Sequence, residues 1–370
     1  MVKRVAIFLL ATILALSAIS IIPANAQKKV VGLDLTFNAL PDGKKLYRVK
    51  DIYTTGFDHY IRDLKGNLTL WGYEAKEING LTSDNLKGVD GLILAKLYDP
   101  SVNYTASEVS AVGAWFKTGG KFLYIGSDSD FVEAYYDAKV GNFKQDQPNK
   151  ILEAIGSSLR IEFASVEDAV GLGAAGAPYR VFANETGGGV NKEGMAGSIT
   201  KGVSRVLFHG PTVLVGFKGG KYVSFDQVLD ENTVWLFRTS EKGTIVHNTP
   251  TPTKVVIPGQ RGRFILAGAQ KVKIDGAYSK VIAAGESMMG DRNGLTLVER
   301  GVTFQGTQYL QNALAWGLTA EQVPVTTTPV TRTTPTTTAP AQDNTMMYAV
   351  VAVIVAIAAI FGATRMRKKK

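Results

Sequence analysis

Apolar residues in the first third of the chain fall into short dense runs separated by polar and glycine-rich stretches, and their spacing switches between two periods. KKVVGLDL, from Lys28 to Leu35, is rich in β-branched residues and predicts a first buried strand. Tyr53 to Leu64 places Phe57, Tyr60, Ile61 and Leu64 at helical spacing, so a helix follows, and Tyr73 to Ile78 returns to strand character. Leu86 to Ala95 reads as a third strand. After it, Thr105 with Glu108 three residues on is the pairing in which each side chain satisfies a backbone donor of a helix's first turn. The helix it starts carries Val109, Val112, Trp115 and Phe116 on one face and stops at Gly119-Gly120, where Lys121 to Ile125 opens another strand. Strand, capped helix and strand make a crossover unit of a parallel sheet.

Beyond a short helix at Asn149 to Ser157 the pattern changes. Ser204 to Phe208, Thr212 to Phe217, Lys221 to Phe225, Thr233 to Thr239 and Lys254 to Ile257 are short and rich in valine and aromatics, and Gly219-Gly220 between two of them predicts a hairpin. About 160–258 therefore reads as a β-rich insertion or subdomain. Arg263 to Ala267 and Lys280 to Ala284 are again buried-strand runs. Gln308 to Trp316 predicts a closing helix with Leu310, Ala313, Leu314 and Trp316 inward.

The two ends set the address. Residues 1–26 carry Lys3 and Arg4, an apolar run and then Ala24-Asn25-Ala26, the pattern of a cleaved signal peptide. Residues 323–345 are dominated by threonine and proline, which gives an extended stalk, and threonine density suits O-glycosylation. Residues 346–364 hold no charge and are about 28 Å long as a helix, enough for a membrane span. The tail 365–370 is basic, which predicts that it stays in the cytoplasm with the 27–322 ectodomain outside.

That layout explains the net charge of +9: seven of the 41 basic residues lie in leader and tail, leaving 34 against 32 acidic groups. A partner made of nucleic acid is thus not implied. The chain has no cysteine, which excludes disulfides, thiolate metal sites and a cysteine nucleophile. Sequons at Asn67, Asn103 and Asn184 are candidate N-glycosylation sites.

Gly88-Val89-Asp90-Gly91-Leu92-Ile93-Leu94, the Thr-x-x-Glu-Val helix, and Thr118-Gly119-Gly120-Lys121-Phe122-Leu123-Tyr124-Ile125-Gly126 resemble a class I glutamine-amidotransferase-like domain of the non-catalytic, membrane-anchored archaeal or bacterial type. Domains of that kind occur in gliding-motility transport components and in an intraflagellar-transport subunit. Gly262-Arg263-Phe264, Gly285-Glu286-Ser287 and Gln311-Asn312-Ala313-Leu314-Ala315-Trp316 are similar to its closing strands and final helix. The stalk, span and lysine-rich tail resemble those of archaeal surface proteins. The resemblance implies an α/β fold with a mostly parallel flavodoxin-like or amidotransferase-like sheet, helices on both faces and a β-rich insertion, beside the C-terminal transmembrane helix.

It also implies a site. Gly126-Ser127-Asp128-Ser129-Asp130 stands where catalytic members have a Gly-x-Cys-x-Gly elbow, so Asp128 occupies the nucleophile's place and amidotransferase chemistry is not expected. Ser127, Asp128, Ser129, Asp130, Glu286 and Ser287 form the candidate strand-end crevice. The turn is expected to be a polar, helix-capping corner; Asp128 and Asp130 leave a cation such as Ca²⁺ as the alternative. With only three histidines, none near a Gly-x-Ser-x-Gly, a serine triad has little support.

Gly171 to Gly176 matches Gly-x-Gly-x-x-Gly without a preceding strand, and Asp291-Arg292-Asn293-Gly294 lacks the rest of a calcium loop. No cofactor is expected. The sequence reads as a non-catalytic cell-surface binding or scaffold protein. The alternatives are a membrane-tethered solute receptor partnered by a transporter permease, and an extracellular hydrolase.

Overall fold

The computed structural model describes residues 27–49, 57–97, 103–131, 143–173, 175–287, 295 and 298–323. The leader, the stalk beyond Val323, the proposed span and the basic tail lie outside them. No helix among the described residues is long and apolar enough to cross a membrane.

A seven-stranded sheet organises the described unit. Its strands are β1 (Val30–Asp34), β2 (Glu74–Ile78), β3 (Gly91–Leu94), β4 (Phe122–Gly126), β5 (Thr233–Arg238), β6 (Ile265–Ile274) and β7 (Ala277–Ala284). They lie in the order β5-β6-β7-β4-β3-β1-β2. The β2, β1, β3, β4 and β7 strands are parallel, and β6 runs antiparallel between β7 and β5. Strand order reverses at β1, which is how doubly wound sheets place a crevice outside the strands' C-terminal ends. The chain is thus mixed α/β with a parallel-rich central sheet.

The helices follow from the same patterning. Those that frame the sheet are α1 (Phe57–Leu70), α2 (Ala106–Phe116), α3 (Phe143–Ala154) and α4 (Gly306–Leu318). Thr105 caps α2 in the reciprocal arrangement expected: its side chain accepts from the Glu108 amide while the Glu108 carboxylate takes the Thr105 amide. Trp115 on α2 donates its indole N–H to the carbonyl of Val89, pinning the helix beside the entry to β3 at 2.9 Å. Along β4, Phe122 and Tyr124 meet Trp316 and Tyr309 of α4, and Phe122 to Gly126 are all buried. By the two-residue period of a strand, Leu123 and Ile125 point to the opposite face.

The predicted insertion is present but is not set apart. Strands Leu159–Ile161, Ser165–Asp168, Arg180–Asn184, Arg205–His209, Leu214–Lys218, Lys221–Val223 and Gly243–Val246 form small antiparallel sheets. The Gly219-Gly220 hairpin turn is there, with both glycines at positive φ. The β5 strand, expected in the insertion, is instead the edge of the main sheet, and 27–323 belongs to one compact unit. Lys254 to Ile257 is not a strand. The amides of Lys254, Val255 and Val256 donate to the buried carboxylate of Glu162 at 2.8, 2.7 and 3.1 Å, so a side chain consumes the donors that a neighbouring strand would have paired.

Candidate functional site

The C-terminal ends of β3, β4 and β7 deliver the site. Lys96 follows β3, Ser127 to Asp130 follow β4, and Gly285-Glu286-Ser287 follow β7. The two turns approach so closely that a Cβ on Gly126 would stand 2.8 Å from the Ser287 Cα and 3.0 Å from the Glu286 carbonyl oxygen. Glycine at 126 is a requirement of that approach, whatever chemistry the turn carries.

All six sequence-predicted crevice residues come together there and all are buried. Lys96, which periodicity did not single out, ties them. Its Nζ lies 3.1 Å from Glu286 Oε1 and 3.9 Å from Asp128 Oδ1, and Lys144 Nζ of α3 lies 2.9 Å from Asp128 Oδ2. Two ammonium groups and two carboxylates thus neutralise one another in a buried cluster. Asp128 Oδ1 also accepts from the Ser129 amide, Ser127 donates to the Lys144 carbonyl, and Gln145 donates to the Asp128 carbonyl.

Asp130 is fully buried and faces elsewhere. Its carboxylate accepts from Ser165 Oγ at 2.5 Å, from the Asn248 amide at 2.8 Å and from Asn248 Nδ2 at 2.9 Å, with His247 Nε2 at 3.8 Å. Asp128 and Asp130 therefore spend their oxygens on different partners. No group of three His, Cys, Asp or Glu placed to hold a metal occurs among the described residues.

The corner is polar, and the partners seen are ion pairs and loop amides; the helix it was expected to cap would fall in 132–142, outside the described residues. The Asp291 to Gly294 turn lies outside them too. Beneath the cluster, burial raises the Tyr124 phenol well above its ordinary range, with Tyr309 and Glu286 adding to the effect.

Over this floor the insertion builds a cavity of 420 Å³. Its walls come from Phe131, Ser165 to Glu167, Tyr179, His209, Gly210, Val246 and Asn248, and its floor exposes Lys96, Asp128, Ser129 and Lys144. The Tyr179 and His209 rings meet edge to face, centroids 5.7 Å apart. Sequence reasoning missed every one of these wall residues. They come from separated segments, and only the ionisable Lys96 at the end of an apolar strand run offered a local signal.

A second buried cluster sits at the end of β1. Arg48 Nη2 is 2.6 Å from Glu108 Oε1, its Nε 3.6 Å from Asp34 Oδ2, and its guanidinium 5.0 Å from the Tyr104 ring centroid. Burial raises the Asp34 carboxyl, and the opposing pull of Arg48 does not cancel it. For Glu108 burial pushes up, but the Thr105 amide and Arg48 outweigh it and the net direction is down. Asn67 and Asn184 are half-buried, and Asn184 Oδ1 accepts from the Thr186 amide; Asn103 keeps its side-chain oxygen out of solvent.

No protein-family model matches the chain, and no curated protein matches it. Among solved structures, it is similar to the mmIFT52 N-terminal domain at 14% identity, covering 78% of this chain and 97% of that one with a TM-score of 0.47. It is also similar to a protein assigned as a GMP synthase subunit from Thermoplasma acidophilum, at 11% identity over 79% of this chain and 95% of that one, with a TM-score of 0.33. The site is therefore argued from its own atoms.

Proposed function

We propose that the chain is a non-catalytic binding protein, held outside a membrane on its Thr/Pro stalk by the 346–364 segment. The observation that supports this is the state of Asp128. The residue in the nucleophile's register is locked by Lys144 at 2.9 Å and by the Ser129 amide at 2.8 Å, with Lys96 behind it. A carboxylate so committed is held as part of the fold's ion pairing and not as a free nucleophile, and the hydroxyl of Ser127 is spent on a backbone carbonyl. What the strand ends offer is a shaped cavity whose volume falls in the lower part of the range usual for small-molecule sites.

That cavity favours, as a second reading within the same class, a receptor that hands a solute to a membrane permease. A surface-scaffold role is compatible with the same lock.

The test uses the full chain in detergent with a panel of sugars, amino acids, short peptides and divalent ions, read by thermal shift and by NMR of the panel compounds. At least one compound is expected to raise the melting temperature and to be recovered unchanged. Turnover of any compound by the chain would overturn the reading, and its loss in Asp128→Asn would place the chemistry at the turn.

A further inference from the structure

The charged groups around the cavity do not balance. Lys96 and Lys144 face Asp128 and Glu286, and these four satisfy one another. Asp130 adds a further carboxylate directly behind Ser165 and Asn248, held by hydrogen bonds. Glu167 adds another on the wall itself.

Glu167 differs from the rest. It is half-buried, its backbone pairs with Thr244, and its carboxylate has no ion pair or hydrogen bond among the described residues. Arg180, which follows the cavity residue Tyr179, is paired with Glu299, and its guanidinium lies 5.7 Å from the Tyr179 ring centroid, so a ligand cation would use the exposed part of that ring. A carboxylate at the rim of a cavity whose ammonium groups are already spoken for gives the cavity a negative surplus.

The same wall carries aromatic faces. Tyr179 is 42% exposed and Phe131 56% exposed, both on the cavity lining. An aromatic face attracts a cation within about 6 Å of its centroid, and the gain grows as the cation leaves water. Exposed rings beside an uncommitted carboxylate are the chemistry that recognises an ammonium group on a small apolar body.

We infer that the cavity above the β4 turn binds a small organic cation, with Glu167 as its counter-ion and Tyr179 and Phe131 as the faces against which it packs. The inference rests on the binding reading given above. The floor cluster sets the depth of the site and supplies the Ser129 hydroxyl as a polar end for any hydroxyl the ligand carries.

The experiment is isothermal titration of the full chain in detergent with n-butylammonium and with choline, against n-pentanol and butyrate as neutral and anionic counterparts of similar size. The ammonium probes are expected to bind, and the neutral and anionic ones not. Glu167→Gln should weaken the ammonium probes by about tenfold or more. It should leave the melting temperature of the unliganded protein unchanged, because that side chain holds nothing in the fold.

Tyr179→Ala is the second variant. A loss for choline larger than for n-butylammonium is expected, since the bulkier cation covers more of the ring. Equal binding of n-pentanol, unchanged affinity in Glu167→Gln, or no binding of either ammonium probe to folded protein would each overturn the inference. None of these would touch the non-catalytic reading, which fails only if a compound is converted.

Discussion

Lys96 is the side chain on which the strand-end cluster closes. It is 2% exposed and shared between Glu286 and Asp128, so removing it leaves two carboxylates in a buried site short of an ammonium. Breaking a buried ion pair from one side costs roughly 3–5 kcal/mol, whereas replacing both partners with neutral groups of similar volume is often close to neutral. Urea denaturation is therefore expected to show a loss of about 3 kcal/mol or more for Lys96→Met. The double variant with Glu286→Gln should lose clearly less than the sum of the two singles. Additivity would mean that the pair is not coupled.

The Arg48 cluster gives a pH prediction with two opposing signs. Asp34 has a folded-state pKa above its ordinary 3.8, so its contribution favours the fold below that value and is lost as pH rises through the raised one. Glu108 is depressed below its ordinary 4.5, so its contribution is present above that value and is lost as pH falls through the lowered one. The two partly cancel on acidification. Asp34→Asn removes the first and keeps the second, so stability measured from about pH 6 down to about pH 3 should fall more steeply in the variant than in the parent. A shallower fall would refute the assignment.

Among the elements, the turn after β4 depends on its glycine more than on its acids. With only 2.8 Å between a Cβ at 126 and the Ser287 Cα, Gly126→Ala must push the ends of β4 and β7 apart. A destabilisation of about 1–3 kcal/mol is expected, the range for overpacking a tight core. It should be accompanied by loss of ligand stabilisation at the cavity, read by thermal shift. A variant that is destabilised but still stabilised by ligand to the parental extent would separate the turn from the site.

How much of this was visible in the chain follows the range of each interaction. The strand at Val30, the Thr105–Glu108 box and the Gly219-Gly220 hairpin are local devices, and the sequence carries them openly. The membership of β5 in the main sheet was not visible, because a β-branched run pairs equally well with either sheet and only tertiary contact with β6 decides. Ser127 to Asp130 and Glu286-Ser287 could be found because strand ends mark themselves. Lys144, Glu167, Tyr179, His209 and Asn248 could not, since each lies in a different segment and only folding puts them around one cavity.

At the scale of the whole molecule, the same cavity has meaning only if the described α/β unit faces the side of the membrane where its ligand is found. Five of the last six residues are basic and follow an uncharged stretch at 346–364, while the remaining basic and acidic groups nearly balance. Positive charge beside a span is retained on the cytoplasmic side, so the proposed anchor would be oriented with the cavity outside. A chain ended after Gln322 keeps the compact α/β unit and loses the stalk and span, so it should fractionate with soluble protein, while the full chain sediments with membranes. In intact cells a membrane-impermeant amine reagent should label lysines of the ectodomain and spare Lys368, Lys369 and Lys370 until the membrane is opened. Labelling of those three lysines in intact cells would reverse the orientation and place the cavity in the cytoplasm. The Thr/Pro segment would then have no distance to span and no glycosylation machinery to meet, so intact-cell labelling decides the stalk's purpose together with the cavity's side.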